Sequence, residues 1–280
     1  MEYKVNMDTL LILRITVPLL YAVTLYLYML EFRGILKEHS IKPTLALIIS
    51  VVIHIVFLVA LYHSSGKYPI GSLFGTLTTF VLLFSIIYML IEFGMSDRSF
   101  GIFVLSLVLL LQIVASIFIN PERFSSPLLE DVIFEIHVIS LIISYSAFAL
   151  GAIAAVMHLL LSKKIKRQEL DIVYHKLPTL QFLRQIGILT VYFGFVFLTA
   201  GIALGFFNAS QVPEAGISLS DPKIVSVIIT WLIYGIFVLT HMLKKLTAKS
   251  AINLSLIGFI TILFTFFVVN TLMETFHLFQ

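Results

Sequence analysis

The sequence contains no cysteine and little charge. Without cysteine in 280 residues, the chain cannot form disulfides, iron–sulfur clusters or thiolate zinc sites, so a metal or cofactor would need His, Met, Tyr or carboxylate ligands. Charged residues make up 12% of the chain, whereas soluble domains carry about 25%. With 60% hydrophobic residues and a mean hydropathy of +1.07, this composition excludes a soluble globular protein.

Long apolar runs take up most of the chain. About 20 apolar residues in a helix cross the hydrocarbon core of a bilayer, whereas barrel strands of about ten residues alternate in polarity. The runs do not alternate, so we predict an all-α integral membrane protein, with one polytopic membrane domain over residues 1–280. Its eight predicted transmembrane helices span about 8–30, 43–63, 70–93, 101–119, 132–161, 186–207, 224–243 and 251–275.

The basic residues indicate the orientation of these helices. If the N-terminus lies outside, most of the 18 lysines and arginines fall in inner loops. The positive-inside rule then places both termini outside the cytoplasm. The net charge of +3 is therefore a topology signal and does not indicate nucleic-acid binding. We expect a multi-pass protein of a bacterial inner (plasma) membrane.

The longest inner loop, 162–185, joins a basic cluster, KKIKR, to spaced apolar residues. This pattern predicts a short helix on the membrane surface, attracted to anionic lipid and interrupted at Pro178. A site for a cytoplasmic partner is the alternative. The apolar residues of the predicted surface helix are Leu170, Val173, Leu177, Leu180 and Phe182.

The sequence shows no nucleophile–base pair, P-loop, HExxH motif or carboxylate dyad, so nothing in it indicates hydrolysis or phosphoryl transfer. Its eight histidines are the plausible metal ligands. His137 lies about one turn into the fifth span, and His277 lies at the outer end of the eighth. Histidines at one depth on two helices could bind one heme from opposite faces. Alternatively, both could lie at the interface and bond water or carbonyl groups.

Three further histidines lie deeper in the spans. His54 is near the middle of the second span, where a polar side chain is costly and suggests a functional site. His241 and His158 lie near the inner ends of the seventh and fifth spans, where they could reach lipid headgroups or helix carbonyls.

Other polar residues have a functional and a simpler interpretation. Arg14, near the outer end of the first span, could extend to water or pair with a heme propionate. Glu92, near the inner end of the third span, could reach water. Asp221 could cap the start of the seventh span, with Pro222 in its first turn.

Several stretches resemble the membrane cytochrome c assembly family of the CcsA/HemX type. The resemblance runs from about residue 50 to the end and implies an eight-helix heme-handling protein. The matching stretches are HVISLIISYSAFALGAIAAVMHLLL (137–161), LPTLQFLRQIGILTVYFGFVFLTAGIALGFFNA (177–209), DPKIVSVIITWLIYGIFVLTH (221–241), VVNTLMETFHLFQ (268–280) and, more weakly, YPIGSLFGTL (68–77).

The resemblance assigns heme-binding roles to specific residues. It implies that His137 and His277 hold heme, an iron protoporphyrin of the b type, at the outer face, and it leaves open whether the heme is held stably or in passing. It also implies that His241 is a heme ligand within the membrane. The partner of His241 is left open between His54, which is the family-like choice, His158, which is level with His241, and a segment of another protein. Asp221 and Lys223 match the family's DPK motif.

One departure from the family pattern concerns the outer loop before Asp221. The family has a Trp-rich run there, whereas this chain reads AGISLSDPK and has its only tryptophan, Trp231, inside the seventh span. This difference predicts the HemX-like branch and a non-catalytic role, at most as a component of a heme-attachment system. Without cysteine, the chain cannot perform the thiol steps of that attachment.

The sequence therefore predicts a membrane heme-binding protein that moves or presents heme at the outer face in support of cytochrome c maturation. Its partners would be heme, membrane lipid and an apocytochrome or assembly protein, with no nucleic acid. Arg14, Lys67 and Lys223 are candidates for contacts with the heme propionates. The alternatives are a HemX-like regulatory protein of heme biosynthesis and a small-molecule transporter.

Overall fold

The structure, a computed structural model, describes residues 6–37, 40–95, 98–120, 132–168, 177–211 and 221–266. These residues form helices and connecting turns and contain no strand, which confirms the all-α prediction. The helices are α1 (Met7–Phe32), α2 (Ile41–Ser65), α3 (Leu73–Met95), α4 (Gly101–Phe118), α5 (Val132–Lys166), α6 (Leu180–Gln211), α7 (Pro222–Met242) and α8 (Ala248–Phe264), with a 3₁₀ turn at Pro69–Gly71.

Seven of these helices, α1 to α7, are long and apolar enough to cross a membrane, counting only the described ranges. Helix α8 is also apolar but has 17 residues where the structure describes it. The rest of the predicted eighth span, together with His277, lies outside the described residues. The eighth crossing and the position of the termini therefore stay predictions.

Short-range capping sets several helix starts. The side chain of Asn6 accepts a hydrogen bond from the Asp8 amide, and Ser40 caps α2 in the same manner. Asp221 Oδ1 accepts a 2.7 Å bond from the Lys223 amide, and Pro222 occupies the first position of α7, where a missing N–H costs nothing. The predicted capping role of Asp221 is thus confirmed.

The prediction of a surface helix in loop 162–185 is wrong for the C-terminal part of that loop. Helix α6 begins at Leu180, so Leu180 and Phe182 belong to an apolar spanning helix. The helix starts there because Thr179, just after Pro178, caps it. The hydroxyl oxygen of Thr179 accepts a 3.1 Å hydrogen bond from the Phe182 amide. Residues 169–176, which include the first part of the predicted surface helix, lie outside the described residues.

The described helices fall into two compact units. In the first, α1 packs against α2 and α4, and α3 packs against α4 and α2. A polar stripe on α1, formed by Tyr21, Thr24 and Tyr28, is buried against these neighbours. Its partners include Ser50 on α2, whose hydroxyl lies 2.9 Å from that of Thr24. This unit therefore has a partly polar interior.

The second unit contains α5 to α8, with α5 packed along α6. Small residues allow this close approach: a Cβ at Gly151 would lie 2.8 Å from the Thr190 hydroxyl. In its core, the rings of Phe148 and Tyr234 stack at 3.6 Å between centroids. Gly258 on α8 leaves room for the Tyr234 ring, since a Cβ there would lie 2.7 Å from it.

Candidate functional site

His137 is held by the backbone of the neighbouring helix. Its Nδ1 lies 2.6 Å from the carbonyl oxygen of Gly201 on α6. A carbonyl oxygen only accepts, so Nδ1 must carry the hydrogen, and the lone pair is then on Nε2. Histidines that bind metals usually donate their other ring N–H to a carbonyl or carboxylate in this manner. His137 therefore has the tautomer of an axial heme ligand.

Two glycines of α6 leave room for side chains of α5, and one of them, Gly205, leaves room for the His137 ring. A Cβ at Gly205 would lie 2.6 Å from Cε1 and 2.9 Å from Nδ1 of His137. A Cβ at Gly201 would lie 2.8 Å from Leu141 Cδ2, the next turn of α5. Sequence reasoning missed this role, although the spacing of four residues places both glycines on one face of α6.

His241 also has one ring nitrogen engaged. Its Nδ1 lies 2.8 Å from the hydroxyl of Tyr192 on α6, and the two rings meet edge-on at 78°, with centroids 5.4 Å apart. Its Nε2 has no hydrogen-bond partner among the residues that the structure describes. His241 can thus present Nε2 to a metal while Tyr192 holds the opposite side of the ring. Tyr192 was not among the residues predicted from the sequence.

His54 is bonded at both ring nitrogens. It is fully buried, with Tyr21 Oη 3.1 Å from Nδ1 and Thr78 Oγ1 2.9 Å from Nε2. Thr78 donates its only hydroxyl hydrogen to Gln112 Oε1 at 3.1 Å, since an amide oxygen cannot donate. Thr78 therefore accepts from His54 Nε2–H, and His54 Nδ1 accepts from Tyr21. Neither nitrogen is open to iron in this arrangement.

His158 lies at one end of the second unit. Its Nδ1 is 3.3 Å from the hydroxyl of Ser162, one turn further along α5. With Arg184, it lines a cavity of about 30 Å³ among small residues of α5, α6 and α8. A cavity of this size holds at most a few water molecules, so it has no room for a porphyrin.

Arg14 and Glu92 have protein partners that the sequence did not predict. The guanidinium of Arg14 donates to the carbonyls of Ser116 and Ile117, the latter at 2.5 Å, and so caps the last turn of α4. Glu92 is 3% exposed, and the expectation that it reaches water is wrong, because side chains surround it. Its carboxylate accepts hydrogen bonds from the hydroxyls of Thr44 (2.6 Å), Tyr88 (2.8 Å) and Tyr28, and pairs with Arg98 at 3.3 Å.

The donor set suits axial heme coordination better than a compact metal site. Among the described residues, no group of three or more His, Cys, Asp or Glu side chains could hold a metal ion. A heme needs only one or two protein ligands, because the porphyrin supplies the other four. His137 and His241 meet the requirement of a free Nε2, and His54 does not.

Comparison with known proteins shows which family this chain resembles. The cytochrome c assembly protein family matches residues 70–277. Cytochrome c biogenesis protein CcsA of Chlamydomonas reinhardtii is 25% identical over 244 residues, covering 84% of this chain and 67% of that protein. CcsA of Trieres chinensis is 25% identical over 290 residues, covering 92% and 93%. CcsA of Heterosigma akashiwo (strain NIES-293 / 8280G21-1) is 27% identical over 251 residues, covering 77% and 78%. No solved structure matches.

The matched range covers some of the candidate site residues and not others. It contains His137, His241 and His277, whereas His54 and Arg14 precede it. The relatives named here carry the CcsA name, so they support the cytochrome c biogenesis side of the resemblance and not the HemX-like branch. The family match covers well over half of the chain, and this protein belongs to the cytochrome c assembly protein family.

Proposed function

We propose that this chain is a heme-handling membrane component of a cytochrome c biogenesis system. Family membership and the CcsA relatives support the process. The observation that carries the heme assignment is the 2.6 Å bond between His137 Nδ1 and the Gly201 carbonyl, which leaves Nε2 as the iron-binding nitrogen. In this proposal, His137 and His277 hold heme near the outer face and present it for cytochrome c maturation.

The proposed orientation of the protein in the membrane follows from the distribution of its basic residues. We place the protein in a bacterial plasma membrane with both termini outside, because most lysines and arginines then lie on the cytoplasmic side. His137, near the start of α5, is then close to the outer surface, and His241, near the end of α7, is close to the inner one.

Heme is the cargo in this account, an iron porphyrin whose metal takes two axial ligands and alternates between ferric and ferrous states. The chain binds it and orients it through histidine Nε2 atoms. Thiols of an apocytochrome would form the thioether bonds, because this chain has no cysteine. In this proposal the chain is at most a component of a heme-attachment system.

His241 is proposed as a second heme ligand, on the inner side. We leave His54 out of the ligand set, since both of its nitrogens are bonded to protein and the family match begins after it. The second axial ligand of the heme at His241 would then be His158, after a rearrangement of its side chain, or a segment of another protein. Lys223, in the same unit as His137, is proposed for a heme propionate, and Arg14 is left out because its guanidinium already binds α4 carbonyls.

The test is an absorption spectrum of the detergent-purified protein, oxidised and reduced, with heme quantified as its pyridine complex. Wild-type protein should show a Soret band and bis-histidine visible bands. The His137→Ala/His277→Ala variant should lose a large part of the heme, and an exposed control, His63→Ala, should lose none. Wild-type protein that binds no heme, even after incubation with hemin, would overturn the proposal.

A further inference from the structure

The hydroxyl of Tyr192 is the only hydrogen-bond partner of the His241 ring among the described residues, at 2.8 Å from Nδ1. We propose that Tyr192 is a positioning residue that orients His241 for heme in both its free and its heme-bound state. This inference rests on the proposed function, in which His241 is a heme ligand. It assigns a role to a side chain that does not itself touch the iron.

The direction of His241 Nε2 depends on what holds the imidazole ring. An imidazole turns about its Cβ–Cγ bond over a broad range, so the direction of Nε2 is set by what holds Nδ1. Tyr192 lies on α6 and His241 on α7, and the edge-on contact of their rings adds a second constraint on the same torsion. Removing the hydroxyl leaves the ring contact but releases the direction of Nε2.

The chemistry of the partner distinguishes His241 from His137. The Gly201 carbonyl only accepts, so it keeps His137 permanently in the Nδ1–H form that iron requires. A phenol both donates and accepts. Tyr192 can donate to Nδ1 while Nε2 carries the hydrogen, and can accept from Nδ1–H once Nε2 binds iron.

This difference fits two sites with different tasks. His137 is fixed in the metal-binding tautomer, as suits a site that holds heme. His241 keeps its hydrogen bond in either tautomer, so heme can arrive and leave without Nδ1 losing its partner. In the heme-bound state, acceptance by Tyr192 also strengthens His241 as an electron donor to iron and favours the ferric state.

The experiment uses the full chain with the outer site removed, His137→Ala/His277→Ala, so that the remaining heme reports on His241. Into this background Tyr192→Phe is introduced, and the matched control is Tyr234→Phe, which removes another buried hydroxyl, bonded to the Ser255 carbonyl at 3.3 Å. The readouts are the rate of heme transfer to apomyoglobin and the reduction potential. Size-exclusion profiles check folding.

We expect Tyr192→Phe to speed heme loss by about 10- to 100-fold, the usual effect of losing the orienting partner of a metal-bound histidine. The reduction potential should rise, and Tyr234→Phe should change neither quantity. If Tyr192→Phe and its background behave alike while His241→Ala abolishes the remaining heme, the role of Tyr192 is overturned and the proposed function stands. If the background retains no heme at all, the His241 site and the role of Tyr192 both fall, whereas an outer site in the wild type would still support the proposed function.

Discussion

His54 donates a hydrogen bond through Nε2 to the hydroxyl of Thr78, 2.9 Å away, in the interior of the first unit. The direction is fixed because Thr78 gives its own hydrogen to Gln112. Gln112 in turn donates to Ser116 at 3.1 Å, so one ordered chain of bonds links α1, α2, α3 and α4. Interhelical bonds of this kind hold membrane helices together without a bound ligand.

His54→Ala is accordingly expected to weaken the fold and spare heme binding. The substitution leaves the buried Tyr21 hydroxyl without its acceptor, at about 1–3 kcal/mol, whereas Thr78 loses one donor and keeps its bond to Gln112. Thermal unfolding in detergent should show a lowered midpoint, while heme per folded protein stays at the wild-type level. His63→Ala, an exposed histidine of the same helix, should change neither. Heme loss comparable to that of His241→Ala would instead make His54 a ligand.

Gly205→Ala tests whether heme binding needs the space that Gly205 leaves for the His137 ring. The added methyl group would lie 2.6 Å from the imidazole, so the ring must move and its bond to Gly201 must change. We expect a loss of heme comparable to that of His137→Ala, with little loss of stability. The matched control is Gly187→Ala on the same helix, where a Cβ meets nothing within 4 Å. Heme content that is equal in both alanine variants would show that heme binding does not need this space.

Glu92→Ala should destabilise the first unit strongly. The change leaves three hydroxyls without their carboxylate, and Arg98 keeps only Glu31, at 3.4 Å, and the Ser40 carbonyl as partners. Breaking a buried ion pair costs about 3–5 kcal/mol, and because Arg98 is partly exposed we expect the lower end of that range. Thermal unfolding provides the measurement, and the exposed Arg33→Ala serves as the control at the same end of the unit. A wild-type midpoint for Glu92→Ala would show that water replaces the carboxylate without cost.

Hydropathy, charge and capping predicted much of the fold because these signals are local. The spans of α1 to α7 and the Asp221 cap follow from runs and neighbours along the chain. The start of α6 was placed too late, because the charged and polar residues at 181, 184 and 185 lower the hydropathy there, whereas the Thr179 cap starts the helix before them.

The partners of the candidate site could not be predicted in the same way. Tyr192 meets His241, and Gly201 meets His137, through the rotation and depth of two packed helices, which hydropathy does not encode. For the same reason, the depth of His54 in its span suggested a ligand, although its surroundings satisfy both nitrogens. The glycine pair at 201 and 205 was the one signal in the sequence that could have identified part of the site.

Chemical rescue is the most direct test of the proposal that His137 binds heme through Nε2. His137→Gly removes the imidazole, and heme content is then measured in purified protein with and without added imidazole, which can bind iron in the vacated space. Heme bound at the outer site should be lost in the variant, so that the heme content falls to what His241 retains, and added imidazole should restore the wild-type content and spectrum. Wild-type heme content and an unchanged spectrum in His137→Gly, without imidazole, would contradict it.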